Sequence, residues 1–287
     1  MTGIRPPAVA GIFYPADPAA LRASVERFLR QGRPGSEEPE EPEGAGDLAP
    51  GSTRGAAGPR ASPSPRAVVS PHAGYIYSGP VAGSAYRALL PKKERIRRVV
   101  VMGPSHYVPL EGAALPEADL METPLGTLPV DPGAVATLEG EGIPRWALPH
   151  RDEHSLEVQF PFIQVALDGV SVVPLVVGQM DPRDLAGRVA PLLDGETLLV
   201  VSSDLSHYLP HARAARVDGE TAAAVEALDA DAIHGERACG HVPLRALLEI
   251  ARRRGWRART LDLRTSADTA GDPGRVVGYG AFAFAPR

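Results

Sequence analysis

The sequence predicts an α/β domain built on a mostly parallel sheet, and three observations carry that expectation. Short continuous apolar runs recur at 67–69, 99–102, 170–177 and 198–201, each of strand rather than helix length. Continuous rather than alternating apolar residues imply strands covered on both faces, the usual condition of a parallel sheet. Stretches of helical periodicity lie between them, and strand alternating with helix is the signature of α/β architecture. With 287 residues, 44% hydrophobic and 23% charged, the chain has ordinary globular composition and enough apolar surface for one large domain or two modest ones.

Taken in order, the first element is a helix. Asp17 is placed to cap it, Pro18 fits its first turn, and Leu21, Val25, Phe28 and Leu29 follow at helical spacing. Residues 33–66 break the pattern: Pro, Gly, Ser and Glu dominate, and Leu48 is the only large apolar side chain. Such a composition cannot bury enough surface to offset the entropy of ordering. The expectation is therefore a single domain formed by 1–32 and 67–287, carrying a disordered insertion at 33–66. Beyond it, helices are expected at 81–90, 132–141, 154–167, 182–193, 217–228 and 242–254, and the alternating segment 276–284 reads as a late strand.

Charge and cysteine content exclude several classes. Lys plus Arg number 30 against 35 Asp plus Glu, a formal charge of -5. A direct nucleic-acid or anionic-membrane interface needs a basic face, so neither is expected. No apolar run approaches the roughly 18 residues of a membrane span, and the first residues lack a secretion signal's apolar stretch. A cytoplasmic location follows as the expectation. One cysteine rules out an intramolecular disulfide framework. Phosphate-binding glycine loops, dinucleotide fingerprints and the serine-hydrolase elbow are all missing.

Chemistry concentrates where an open α/β sheet binds ligands, beyond the carboxyl ends of its strands. The run at 67–69 leads into Ser70-Pro71-His72-Ala73-Gly74-Tyr75, that at 99–102 into Gly103-Pro104-Ser105-His106-Tyr107, and that at 198–201 into Ser202-Ser203-Asp204-Leu205-Ser206-His207-Tyr208. Three strands thus bring a histidine to one edge. Imidazole is both the commonest metal ligand and the side chain best suited to proton transfer near neutrality. His154 begins a helix in Asp152-Glu153-His154-Ser155-Leu156-Glu157, where His154 and Glu157 read either as a ligand pair or as a salt-bridged helix start. Cys239 precedes Gly240 and a helix; it reads either as a buried thiol or as a thiolate favoured by a helix N-terminus. His150, His211 and His234 are expected on the surface. A mononuclear site assembled from distant loops with N and S donors would suit Fe(II), copper or Zn(II).

These strings, Pro71-His72-Ala73-Gly74-Tyr75, Gly103-Pro104-Ser105-His106-Tyr107-Val108-Pro109-Leu110, Asp152 to Glu157, Val201 to His207 and Cys239-Gly240, closely resemble the Memo family, called AmmeMemoRadiSam system protein B in bacteria and archaea. Tyr14 and Leu125-Gly126 also fit its layout, and the resemblance covers nearly the whole chain outside 33–66. It implies the αβα sandwich of class III extradiol dioxygenases, with His72, His106 and Cys239 as metal ligands, Asp204 and His207 lining the pocket and His154 near its rim. In place of the dioxygenases' two His and one carboxylate stands a thiolate, softer and more favourable to copper. The resemblance implies a metal-dependent redox or dioxygenase-like protein, a non-haem iron or copper oxidoreductase, linked to a radical SAM enzyme. His207 would be its acid/base group, oriented by Asp204, and Tyr75 and Tyr77 would donate to a bound ligand. The alternatives are a binding module that takes a peptide or small molecule in a relic pocket, and a zinc-dependent hydrolase.

Overall fold

Four strands, buried but for the first residues of two of them, hold the centre of the molecule, and their burial explains the rest of the architecture. The structure is a computed structural model describing residues 3–33 and 64–287, the side chain of Lys92 excepted. The segment expected as an insertion lies, but for its ends, outside the described residues. Those ends are anchored: Arg33 N–H donates to Ser84 Oγ at 2.9 Å and Arg66 N–H to the Phe284 carbonyl at 2.7 Å.

The strands are β1 (Ile4–Arg5), β2 (Ala67–Ser70), β3 (Arg98–Pro104), β4 (Ala113–Ala114), β5 (Leu120–Thr123), β6 (Gly126–Pro129), β7 (Ser171–Val177), β8 (Thr197–Ser202), β9 (His207–Leu209), β10 (Trp256–Thr265) and β11 (Val276–Pro286). The main sheet runs β10-β11-β2-β8-β3-β7-β4, with β9 also paired to β11. Within it β2, β8, β3 and β7 are mutually parallel, as the continuous apolar runs predict. Strands β10, β11 and β4 extend it antiparallel. A smaller sheet joins β1, β5 and β6.

The helices are α1 (Pro18–Gln31), α2 (Tyr75–Arg87), α3 (Pro132–Gly140), α4 (Ala147–Arg151), α5 (His154–Glu157), α6 (Phe160–Ala166), α7 (Pro182–Val189), α8 (His211–Glu226) and α9 (His241–Arg254). One group, α1, α2 and α6, packs together over β2, β10 and β11, and a second, α7 and α9, over β3, β8 and β10. A sheet whose central residues are buried on both sides needs two such layers, and one continuous apolar core joins them. Asp17 caps α1 as expected, its side chain accepting from Ala20 N–H at 2.8 Å.

Four expected helices differ in extent, the one expected at 182–193 ending at Val189 and passing into a 3-10 turn over Ala190–Leu192. The helix expected at 81–90 starts at Tyr75 and carries Pro80 inside it. The one expected at 154–167 divides into α5 and α6, because Pro161 in the first turn of α6 has no N–H with which to continue the preceding turn. The one expected at 217–228 begins six residues earlier, at His211, in a polar run that hid its first turns. The 10-residue β10 was not foreseen; its Arg- and Thr-rich sequence befits an edge strand with a half-buried face.

Candidate metal centre

Strand order builds the site. In the sequence β2 and β3 come before β8, but in the sheet β8 lies between them, with Ser70 opposite Ser202 and Met102 opposite Val201. The carboxyl ends of β2 and β3 are thus two strands apart, about 10 Å at the usual spacing. That is close enough for two imidazoles to meet above β8. His72, following β2, and His106, following β3, have ring centroids 5.2 Å apart and nearly perpendicular planes. His154, at the start of α5, stacks on His106 at 4.6 Å and lies 5.5 Å from His72. One ligand atom from each of these three rings lies within 4.8 Å of the other two.

Two glycines permit the approach. A Cβ on Gly103 would stand 2.8 Å from Ser155 Oγ and 2.9 Å from a Leu156 methyl, so α5 could not rest on β3. A Cβ on Gly240 would stand 2.8 Å from Ser203 Cβ, holding the Cys239 loop off the end of β8. With Gly240 in place, Cys239 Sγ reaches 3.3 Å from His72 Nε2 and accepts from Asp204 N–H at 3.3 Å. Cys239 is not one of the trio of mutually close rings; His72 is the residue common to both groupings.

The electrostatics separate the site's two sides. His72 is buried, and burial, helped by the nearby His106 ring, holds its pKa down to about 3. Burial likewise pushes the Cys239 thiol up to about 12, with the Asp204 carboxylate adding to the effect. Toward solvent, the His106 side chain is 28% exposed and Glu153 stands behind it. Burial alone would raise the Glu153 pKa, but hydrogen bonds from the His106 ring and from backbone N–H groups bring it down to about 2. Its two oxygens take the His106 N–H at 2.6 Å, His106 Nδ1 at 2.8 Å and the Ser155 N–H at 2.9 Å. An ionised carboxylate only accepts, so His106 Nδ1 carries a proton, and in the neutral ring the lone pair is then on Nε2. Burial also lowers His154, to about 4.

The other expected site residues fall less uniformly. Asp204 is buried and accepts from the His72 backbone N–H at 2.8 Å; burial raises its pKa. Asp204 is not the hydrogen-bond partner that fixes the His207 ring: Nδ1 of His207 donates to the Leu205 carbonyl at 2.8 Å. A spacing of three residues made a carboxylate contact conceivable, and the tight turn satisfies the ring with backbone instead. Tyr75 points away from the expected ligand. It packs among Tyr14, Phe28 and Phe162, and its hydroxyl donates to the Val158 carbonyl at 2.9 Å. Tyr77 is half-buried on the same helix. His150, expected on the surface, is buried with Nε2 2.9 Å from the Ala114 carbonyl, whereas His211 is half-buried and His234 exposed.

Glu157 resolves toward the structural reading. Fully buried, it pairs with Arg5 and accepts from Ala8 N–H at 2.8 Å, Val9 N–H at 3.0 Å and Tyr14 Oη–H at 2.5 Å. Arg5 also donates to the His150 carbonyl at 3.0 Å and the Glu153 carbonyl at 2.9 Å. The amino-terminal strand thereby pins the segment that carries Glu153 and His154, and Phe13 lies 4.6 Å from the His154 ring. Glu153, not singled out from the sequence, was legible in one respect: an acidic residue immediately ahead of a short helix is a capping position.

Comparison with known proteins places the chain in a family. The family model of the Memo-like proteins matches residues 5–283. A MEMO1 family protein of Desulfurococcus amylolyticus is 34% identical over 305 residues, covering 98% of both chains. Another from Archaeoglobus fulgidus is 32% identical, covering 98% of this chain and 99% of that one, and MEMO1 family protein MK0963 of Methanopyrus kandleri is 33% identical, covering 98% of both. Among solved structures, uncharacterized protein JW3007 from Escherichia coli K12 covers 69% of this chain and 91% of its own at TM-score 0.47 and 14% identity, too distant to add to the assignment. A match over this length, with relatives above 30% identity spanning nearly the entire sequence, shows that the chain belongs to the Memo family.

Proposed function

We propose that the protein is a metal-dependent redox protein whose mononuclear site is formed by His72, His106 and Cys239, with His154 at the rim. The carrying observation is the 3.3 Å between His72 Nε2 and Cys239 Sγ, with the His106 ring beside them. An imidazole nitrogen about 2.0–2.1 Å and a thiolate about 2.3 Å from one ion stand roughly 3.3–3.6 Å apart at near-tetrahedral angles. The His72–Cys239 pair therefore fits a shared ion, and His106, beside His72, would complete the set. Two imidazoles and a sulfur suit Fe(II) or copper better than magnesium or calcium.

When bound, such a metal supplies one-electron chemistry or activation of dioxygen. The chain's own groups do the rest. Glu153 fixes the His106 ring and makes it a stronger donor. His207 is held through Nδ1 by the Leu205 carbonyl, so Nε2 is the ring atom turned to proton transfer. Asp204 holds the turn after His72 against the end of β8. The redox assignment and a link to a radical SAM enzyme rest on the family resemblance.

A second reading has its own observation. His72, His106 and His154 are mutually close, and three imidazoles with an open position are a common zinc arrangement for activating water. Metal analysis after anaerobic purification, combined with Cys239→Ser and His154→Ala, separates the two. Iron or copper near one per chain, lost in Cys239→Ser and kept in His154→Ala, supports the sulfur-containing site. Zinc retained in Cys239→Ser and lost in His154→Ala supports the three-imidazole site and overturns the redox reading.

A further inference from the structure

We infer that Ser202 is a positioning residue that locks His72 as its Nδ1–H tautomer, leaving Nε2 as the ring's only donor atom. The argument is a count of hydrogens around one hydroxyl. Ser202 Oγ has three neighbours at hydrogen-bond distance: the Ser155 carbonyl at 2.6 Å, Gln159 Nε2 at 2.8 Å and His72 Nδ1 at 2.9 Å. A serine hydroxyl has one hydrogen to give and two lone pairs to share. The carbonyl can only accept, so it takes the hydroxyl hydrogen. The amide nitrogen can only donate, so it occupies one lone pair. One lone pair remains, and His72 Nδ1 must arrive as N–H.

The orientation of Gln159 is itself determined. Its Nε2 donates to the Pro71 carbonyl at 2.9 Å, and its Oε1 accepts from the Tyr86 hydroxyl at 3.1 Å. Reversing the amide would set two carbonyl oxygens against each other at Pro71. Tyr86, Gln159, Ser155 and Ser202 are all fully buried and His72 is 2% exposed, so bulk water offers no alternative partners. The network therefore has one consistent proton arrangement, and it directs the bare Nε2 of His72 at Cys239 Sγ.

The inference deepens the metal-site reading, since a ligand role for Nε2 rests on that reading, but the tautomer stands without it. Long-range ¹H–¹⁵N correlation NMR of the metal-free full chain, labelled with ¹⁵N-histidine, reports which nitrogen carries hydrogen; loss of its signals in His72→Asn assigns His72. The expected result is protonated Nδ1 and bare Nε2. In Ser202→Ala the ring should shift toward Nε2–H, and Zn(II) or Co(II) affinity should fall roughly 10–100-fold, the usual loss when a ligand's outer partner is removed. Ser202→Thr, which keeps the hydroxyl, should restore both. A wild-type His72 protonated on Nε2, or a ring unchanged in Ser202→Ala, overturns the inference, and the wild-type spectrum decides alone if the alanine variant fails to fold. A correct tautomer in a wild-type chain that binds no metal would sink the metal reading and leave this one standing.

Discussion

The two sides of the site hold their imidazoles by different means. On the buried side, His72 stands on the central sheet, its ring backed by the neutral Ser202 hydroxyl and facing the Cys239 thiol. On the solvent side, His106 is backed by the Glu153 carboxylate and stacked on His154. A hydroxyl fixes a tautomer without adding charge, whereas a carboxylate also strengthens the ring as a donor. Both nearby carboxylates are buried and held by hydrogen bonds: Glu153 takes the His106 ring and the His106 and Ser155 N–H groups, and Asp204 takes the His72 N–H. The buried side rests on core strands, while the segment bearing Glu153 and His154 is pinned by Arg5 and Glu157.

The sharpest test removes the residue shared by both groupings. His72→Ala should abolish metal binding, lowering affinity by more than the roughly 100-fold that marks the upper range for losing an outer partner. Competition titration with a chromophoric chelator measures this, and an unchanged circular dichroism spectrum excludes unfolding. Retention of stoichiometric metal in that variant would break the comparison, since both sides would then be irrelevant to the ion.

Next in size is the anchor of the solvent side. Arg5→Met leaves Glu157 buried without its cation, and breaking one partner of such a pair costs about 3–5 kcal/mol. The three remaining donors to Glu157, from Ala8, Val9 and Tyr14, favour the lower end. Urea unfolding should show the loss as a lower midpoint. If the two sides are independently supported, the His72 tautomer should survive in the folded fraction while the His106 resonances move. A smaller effect is expected of Glu153→Gln, which keeps the shape and removes the charge: metal affinity should fall about 10-fold, the low end for an outer-shell partner. An unaltered affinity would mean that the charge behind His106 does not matter.

Much of this was legible in the sequence, and the reasons for the rest are physical. His72, His106 and the Ser202–Asp204 turn could be placed at strand ends because continuous apolar runs give way abruptly to Pro, Gly, Ser and His. Nothing in the text of the chain says that β8 lies between β2 and β3, which is a fact of sheet order. Tyr75 was misplaced because a first-turn aromatic has no periodic partners to show which way it faces. His150 sits in a five-residue helix, too short to show a buried stripe. Ser202 and Gln159 look unremarkable in the sequence, since their importance depends on three groups from distant segments meeting one hydroxyl. Glu157 could be read either way from its spacing to His154, and only the arrival of Arg5 from the amino terminus settles its role as an anchor.

The smallest signal discriminates most finely between the sides: a single proton. With its pKa pushed up to about 12, the Cys239 thiol keeps its hydrogen at pH 8 in the metal-free chain. An ion that bonds to Sγ must displace that hydrogen, because the thiolate is the ligand. His72 and His154, held down to about 3 and about 4, bring no proton to release at that pH. Binding through sulfur therefore frees one more proton than binding through rings alone. Acid favours the protonated, metal-free form, so affinity rises with pH, about tenfold per unit while the free thiol stays protonated. Calorimetric titration at pH 8 in two buffers of different ionisation enthalpy counts the protons. Wild type should release one more per ion than Cys239→Ser, a difference that cancels any proton lost from metal-bound water in both. Equal counts would move the ion away from the sulfur and onto the three imidazoles, with His154 on the solvent side taking the place of Cys239.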